Sequence, residues 1–295
     1  MTTPLNADLH CHSVISDGTL TPEQLAQRAK ANGVQLWALT DHDEVGGQAR
    51  AAAAAAACGL DYLTGVEISI TFLGQTVHIV GLGFDADDPQ LWHGLQRTRG
   101  GRAQRARDMA EDLARVGITG TFEGALTYVG NPDLISRTHF ARYMVETGVC
   151  KDTYEVFRKY LTEGKPGYVE HRWATLKDAV TWIRDAGGVA VVAHPARYKF
   201  SANEEFALFT EFKGFGGQGV EVVTGSHSAA EYITYANLAT DLNLVASIGS
   251  DFHSPDESRT DLGTLPPLPA QLTPVWTLLG DRIQRAPTLV APAFL

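Results

Sequence analysis

Two histidines, His10 and His12, lie on the run Asp8-Leu9-His10-Cys11-His12-Ser13, followed closely by Ser16-Asp17-Gly18. The run reads as a short strand entering a loop. Side chains alternate faces along a strand, so Asp8, His10 and His12 share one face while Leu9 and Cys11 share the other. Two imidazoles on one face can reach a single metal ion. Asp8 is then placed to accept a hydrogen bond from the far ring nitrogen of one of them and fix its tautomer. Taken alone, the pair fits an exposed polar strand equally well.

More residues of the same kind recur downstream, each expected at the C-terminal end of a strand. Together they are His10, His12, Asp17, His42, Glu67, His78, His194, Asp251 and His253, and they include six of the ten histidines. Mixed imidazole and carboxylate donors suit zinc, manganese or iron better than calcium or magnesium. Nine donors are too many for one ion, so two or three ions sharing bridging carboxylates are expected.

The elements that must position them alternate. A strand over 7–12 leads to a helix opened by Thr21-Pro22, a cap followed by proline at the first helical position, and closed near Asn32-Gly33. A buried strand over 36–40 ends in Asp41-His42-Asp43, and an alanine-rich helix follows over 47–58. A third strand begins at Asp61 and ends at Val66-Glu67, and a fourth spans 75–82. From about Leu91 to Pro166 the pattern is helical only (101–116, 122–128, 137–147 and 153–162), which reads as an insertion. Arg97, Arg99, Arg102, Arg105 and Arg107 crowd its first helix, where Asp108, Glu111 and Asp112 at helical spacing favour a solvated face over a guide for a polyanion. Alternation then resumes: a helix over 176–186, strand 189–193 ending at His194, a helix near 203–213, strand 219–224 ending near His227, helix 229–242, and strand 244–248 before Asp251 and His253. A last helix is expected near 274–284. Polar groups at successive strand ends are how α/β barrels site their chemistry. The domain reading is a barrel over 1–90 and 167–295 with a helical insertion, or cap, over 91–166.

The 295 residues are enough for a full core, and 44% hydrophobic and 20% charged residues are ordinary for a globular enzyme. A formal charge of -10 argues against a general nucleic-acid-binding surface. Three scattered cysteines, Cys11, Cys58 and Cys150, argue against a disulfide framework and for a reducing cytoplasm. The start Met1-Thr2-Thr3-Pro4 has no signal-peptide pattern, and no run approaches a membrane span.

The ordered set of His10-x-His12, Ser16-Asp17-Gly18, Thr40-Asp41-His42, Gly65-Val66-Glu67, His194-Pro195 and Ser250-Asp251-x-His253 resembles the polymerase and histidinol phosphatase (PHP) family over about residues 6–255. The resemblance implies a distorted (β/α)7 barrel with a trinuclear metal centre, manganese first and zinc or iron as alternatives. It assigns one metal to His10, His12, Glu67 and Asp251, a second to Glu67 as bridge with His78 and His194, and a third to Asp17, His42 and His253. Relatives often carry histidine where Asp17 stands, so the third site is expected to be weaker or to take a different metal.

Ile135-Ser136-Arg137-x-His139, Lys165-Pro166-Gly167-Tyr168 and His194-Pro195-Ala196-Arg197-Tyr198 resemble the subgroup acting on nucleotides. This implies hydrolysis of the 3′-phosphate of nucleoside 3′,5′-bisphosphates to leave the 5′-monophosphate. The chemistry is assigned to Glu67, Asp251 and His253 around a metal-bridging hydroxide. A second phosphate needs its own cations, and Arg137 and Arg197 are assigned to it because guanidinium forks match phosphate. Ser136 and Lys199 are further substrate contacts, with Lys165, His139 and Tyr168 as weaker ones, and His171 or His227 could protonate the leaving oxygen. The partner is a small nucleotide. Alternatives on the same centre are 5′→3′ trimming of short 5′-phosphorylated RNA and hydrolysis of histidinol phosphate. C–N hydrolysis of the amidohydrolase type is disfavoured because Glu67, not a lysine, occupies the 60–90 region. A metal-binding module without activity is disfavoured because all nine ligands are present.

Overall fold

The computed structural model describes residues 5–287. Seven strands form one sheet in chain order: β1 (Ala7–Asp8), β2 (Leu36–Leu39), β3 (Asp61–Phe72), β4 (Gln75–Leu82), β5 (Val189–Val192), β6 (Gly219–Thr224) and β7 (Val245–Gly249). The extended backbone after β1 pairs with that around and after β7, Leu9 N–H donating to Ile248 O at 3.0 Å and His12 N–H to Phe252 O at 2.8 Å. The sheet therefore curls into a nearly closed barrel, as expected. Strands β1, β2 and β5 are buried at every position, which is why they read as nearly continuous apolar runs.

Helices α1 (Pro22–Ala31), α2 (Gln48–Cys58), α8 (Leu176–Asp185), α9 (Ala202–Gly214) and α10 (Ala229–Asp241) cover the outside. Thr21 caps α1 in a reciprocal pair with Gln24, and Gly59 ends α2 in the left-handed conformation at φ 69°.

Two departures from a regular βα alternation matter for the site. No helix separates β3 from β4: they form an antiparallel hairpin, and β4 is also antiparallel to β5. Positive φ at both Leu73 (47°) and Gly74 (78°) closes the hairpin as a tight turn. Glu67 and His78 thus sit within long strands rather than at strand ends, because pairing from Ile68 to Phe72 carries β3 past the expected stop.

The stretch between β4 and α8 is helical: α3 (Pro89–Arg99), α4 (Arg102–Arg115), α5 (Thr121–Leu126), α6 (Arg137–Glu146), α7 (Thr153–Val156) and a π-helical turn, Phe157–Leu161. Met109, Leu113, Phe140, Met144 and Leu161 give this stretch a hydrophobic cluster of its own. Helix α3 was not expected, and its Leu91 and Leu95 belong to the barrel core. The bidentate pair of Arg142 on α6 with Glu257, at 2.8 and 2.7 Å, ties the helical stretch to the loop beyond β7. The helix expected near 274–284 is instead two 3-10 turns, Val275–Leu278 and Gly280–Arg282. Gly280 costs a continuous helix about 1 kcal/mol, and burial of Val275 and Leu279 in the barrel core holds the short turns.

Candidate metal centre

The nine expected ligands converge in one place. His10 and His12 continue from β1, and Leu9 and Cys11 point the other way into core; Cys11 donates to Ala38 O at 3.4 Å and lies 3.2 Å from Trp37 Nε1. His10 Nε2 and His12 Nε2 are 3.2 Å apart. Glu67 Oε2 lies 3.3 Å from His10 Nε2 and 3.2 Å from His12 Nε2. Asp251 Oδ1 lies 3.5 and 3.2 Å from the same two nitrogens. Metal–ligand bonds of ~2.0–2.1 Å in a tetrahedron give donor–donor edges of ~3.3–3.4 Å, so these four atoms are spaced to enclose one ion.

Glu67 carries a second cluster on its other oxygen. Its Oε1 is 2.7 Å from His78 Nδ1 and 2.9 Å from His194 Nε2. His42 Nδ1 reaches Glu67 Oε2 at 2.9 Å, while His42 Nε2 faces Asp17 Oδ1 at 3.8 Å and His253 Nε2 faces the same oxygen at 3.4 Å. His42 therefore stands between the second and third groups. His12 Nδ1, Asp17 Oδ1, His42 Nδ1, Glu67 Oε2 and His78 Nδ1 are buried without a hydrogen-bond partner. Orphaned polar atoms of this kind are costly unless they bind something, and crowded imidazoles with carboxylates between them are a set that divalent metals satisfy.

Burial pushes the carboxyls of Glu67, Asp17 and Asp251 up, but the facing imidazoles overcome it. His78, His10 and His42 hold Glu67 well below the ordinary range, His42 and His253 do so for Asp17, and His10 and His12 for Asp251. All three remain anionic and able to ligate.

Local backbone is bent to aim these groups. His194 and Asp251 take positive φ, 28° and 56°, a conformation that costs a non-glycine residue and persists where the surroundings enforce it. Gly249 lets the backbone approach the first histidine: a Cβ there would lie 2.2 Å from His10 Cβ. Asp41 accepts from Ser13 N–H, Ser13 Oγ and Ser16 Oγ at 2.8, 2.7 and 2.6 Å and so folds the loop that carries Asp17. Ser136 Oγ donates to Asp17 Oδ2 at 3.1 Å.

Asp8 does not do what its strand position suggested. It accepts from the backbone N–H of Ser250 and Gly263 at 2.9 and 2.8 Å, and burial raises its pKa to about 6. The role expected of it falls to Glu221 on β6. Glu221 Oε1 meets His10 Nδ1 at 2.7 Å, and Oε2 accepts from His194 N–H at 2.7 Å, so one buried carboxylate orients ligands that follow two different strands, β1 and β5. A lone glutamate in Gly219-Val220-Glu221-Val222-Val223 was a readable signal, because a buried charge in an apolar strand needs a partner.

The pocket above the cluster is lined by Asp17, Glu67, His78, Asp251 and His253 below and by Ser136, Arg137, Arg102, Arg105, Trp173 and Arg197 around it. Arg197 donates to Asp251 Oδ2 at 2.8 Å, which places it at the metal end of the pocket rather than at a remote phosphate. Lys199 is exposed, exchanging backbone hydrogen bonds with the Gln75 side chain outside the pocket lining. His227 has both ring nitrogens engaged, Nε2 by Ala196 N–H at 3.2 Å and Nδ1 by Val222 O at 3.2 Å; it braces the turn before Arg197 and is not free as an acid. His171 packs edge-on to Trp173, 4.3 Å between centroids, behind the lining. His139 Nδ1 accepts from Ser136 N–H at 3.0 Å and caps α6. The arginine run, expected to be a solvated face, divides: Arg97 and Arg107 are exposed as expected, but Arg99 bonds Asp43 O at 2.9 Å and pairs with Glu44, and Arg102 pairs with buried Asp43. Asp43 and Glu44 lie on the loop after β2, far from the run in sequence, so helical spacing within α4 hid these partners.

Residues 8–82 match the PHP domain. The chain is 51% identical, over 95% of its length and 98% of the relative's, to a 3′,5′-nucleoside bisphosphate phosphatase of Chromobacterium violaceum. It is 38% identical, over 91% and 97% respectively, to a 5′-3′ exoribonuclease of Haemophilus influenzae. A solved structure from Chromobacterium violaceum, named an amidohydrolase and holding bound sulfate and no metal, superposes with a TM-score of 0.92 at 51% identity over 95% of this chain and 98% of that one. Matched motifs, near-complete relatives and a barrel with His/Asp/Glu clusters at its mouth agree: the chain belongs to the PHP family of metal-dependent phosphoesterases.

Proposed function

We propose that the protein removes the 3′-phosphate of nucleoside 3′,5′-bisphosphates and leaves the 5′-monophosphate. The observation that carries the reading is the pairing, in one pocket, of a ligand cluster below with guanidinium groups above, of which Arg105 and Arg137 have no carboxylate partner among the described residues. The comparison with the bisphosphate phosphatase supports it.

Divalent metals, manganese foremost, held by the nine ligands would supply a water activated at neutral pH and charge to offset the phosphoryl oxygens. Glu67, with one oxygen toward each cluster, holds the two together. Glu221 and the Tyr198 hydroxyl fix the imidazoles. That hydroxyl accepts from His78 N–H at 2.9 Å, donates to Ala193 O at 3.0 Å and lies 3.3 Å from His194 Nδ1. Arg197, beside Asp251, is positioned to bind the phosphoryl group under attack, and Arg137 with Ser136 at the start of α6 to bind the rest of the substrate. The helical stretch acts as a cap that carries these cations over the barrel mouth. The three cysteines are free, in keeping with a reducing cytoplasm, and no helix among the described residues is long and apolar enough to cross a membrane.

A second reading, 5′→3′ trimming of short RNA, uses the same centre and is supported by the Haemophilus relative. Arg97 and Arg107 stand outside the pocket lining, against Trp182 and Phe122. Steady-state phosphate and nucleotide release from adenosine 3′,5′-bisphosphate and from a 5′-phosphorylated tetranucleotide separates the two. The first reading expects the bisphosphate to have the higher kcat/KM; a higher value for the tetranucleotide overturns it.

A further inference from the structure

The helical stretch from α4 to the π-helical turn packs on a hydrophobic cluster whose buried members all lie between Ala106 and Leu161. It does not share the core of the barrel. Three of its polar attachments reach the barrel at three different loops. On the loop after β1, Ser136 Oγ donates to Asp17 Oδ2 at 3.1 Å, and Gly130 comes so close that a Cβ there would lie 2.7 Å from Val14 O. On the loop after β2, Arg102 pairs with Asp43, the residue that follows His42 and that is held at a φ of 50°. On the loop after β7, Arg142 grips Glu257 with both arms of its guanidinium, and the next residue, Ser258, accepts from His253 N–H at 2.8 Å.

Those three loops carry Asp17, His42 and His253, which with His12 form one of the ligand groups. The remaining ligands are braced from within the barrel, His10 and His194 by Glu221, and His78 by the Tyr198 hydroxyl. Among the described residues no hydrogen bond or ion pair from α4 to the π-helical turn reaches His10, Glu67, His78 or His194. The division is sharpest at Asp17. Its Oδ1 faces His42 Nε2 and His253 Nε2 at 3.8 and 3.4 Å, and its Oδ2 takes the Ser136 hydroxyl. One carboxylate thus joins the seat of an ion to the helical stretch. A segment with a core of its own, tied on by a few polar contacts, opens more readily than the packed barrel beneath it.

We propose that the third metal ion, the one held by Asp17, His42 and His253, is coupled to the docking of this helical stretch. Ser136, Arg102 and the Arg142–Glu257 pair position that ion's ligands, and the ion in turn locks the stretch and its arginines over the barrel mouth. By linkage each event strengthens the other by the same factor. Closure of the site then follows the supply of divalent metal. The inference rests on the metal centre of the family and not on which phosphoester is cleaved.

The test titrates the metal-stripped full chain with manganese by calorimetry and digests the same samples with protease for set times. Asp17→Asn marks which ion is the third, because Asp17 belongs to that ligand group alone. Glu257→Gln and Arg142→Gln alter no ligand; each is expected to weaken the third ion about 5–150-fold and the others by less than about twofold, with Arg142→Lys recovering much of the loss. In wild type, cleavage between residues 100 and 170 should slow when the third ion binds, and Asp17→Asn should abolish that protection. Unchanged third-ion affinity in both glutamine variants, an equal loss at every ion, binding of only two ions by wild type, or digestion that ignores the third ion overturns the inference. None of these readouts involves a substrate, so failure of the phosphatase reading and failure of this coupling are told apart.

Discussion

Glu221→Gln separates the positioning of ligands from ligation itself. The carboxylate accepts on both oxygens, from His10 Nδ1 and from His194 N–H, at 2.7 Å each. Glutamine has nearly the same shape but only one accepting atom. Whichever way the amide turns, its NH2 faces one of these two donors. A buried donor left unpaired costs about 1–3 kcal/mol. Loss of a carboxylate behind a ligating imidazole lowers metal affinity about 10–100-fold, which corresponds to ~1.4–2.7 kcal/mol and agrees with the first figure. Manganese titration followed by calorimetry, with wild type in parallel, is the assay. Affinity for the tightest metal should fall within that range, and the melting temperature of the metal-free protein should drop by about 2–4 °C per kcal/mol lost. Manganese affinity within twofold of wild type would refute the argument that Glu221 orients His10 and His194.

Gly249→Ala should destabilise the fold by at least ~1–3 kcal/mol in urea unfolding, because its Cβ would meet His10 Cβ at 2.2 Å and His10 N at 2.7 Å. Tyr198→Phe should keep the fold but lose about 1 kcal/mol, since the part-buried His78 N–H loses its acceptor; an unchanged urea midpoint would contradict this. Chelation should lower the melting temperature, and manganese at 100 times its Kd should restore ~2.7 kcal/mol, since buried ligand atoms such as His12 Nδ1 and Asp17 Oδ1 lack hydrogen-bond partners. Glu257→Gln should weaken the tie to Arg142 by about 1–3 kcal/mol and speed proteolysis between residues 100 and 170, read by timed digestion.

The convergence of the candidate ligands was legible because donor types that are individually ambiguous recur at the mouth of a barrel whose strands announce themselves as apolar runs. The distances place His10, His12, Glu67 and Asp251 together, His42 with Glu67 and His78, and His12 and His42 with Asp17 and His253, so His12 and His42 each stand between two groups. What stayed hidden depended on partners distant in sequence. The hairpin that puts Glu67 and His78 inside strands depends on positive φ at Leu73, a residue type that does not advertise a turn. Glu221 takes the role expected of Asp8 because orientation is set by what closes over each face, and alternation along one strand cannot reveal that. The arginines around the start of α4 looked solvated because acids stood at helical spacing, whereas Asp43 and Glu44, brought in from the loop after β2, claimed Arg102 on α4 and Arg99 at the end of α3.

The most direct test of the account is 31P NMR of adenosine 3′,5′-bisphosphate incubated with the manganese-loaded protein. The expected result is loss of the 3′-phosphate resonance with matching growth of inorganic phosphate, and adenosine 5′-monophosphate as the nucleotide product. Accumulation of adenosine 3′-monophosphate, or an unchanged spectrum from protein shown to carry its metals, would contradict it.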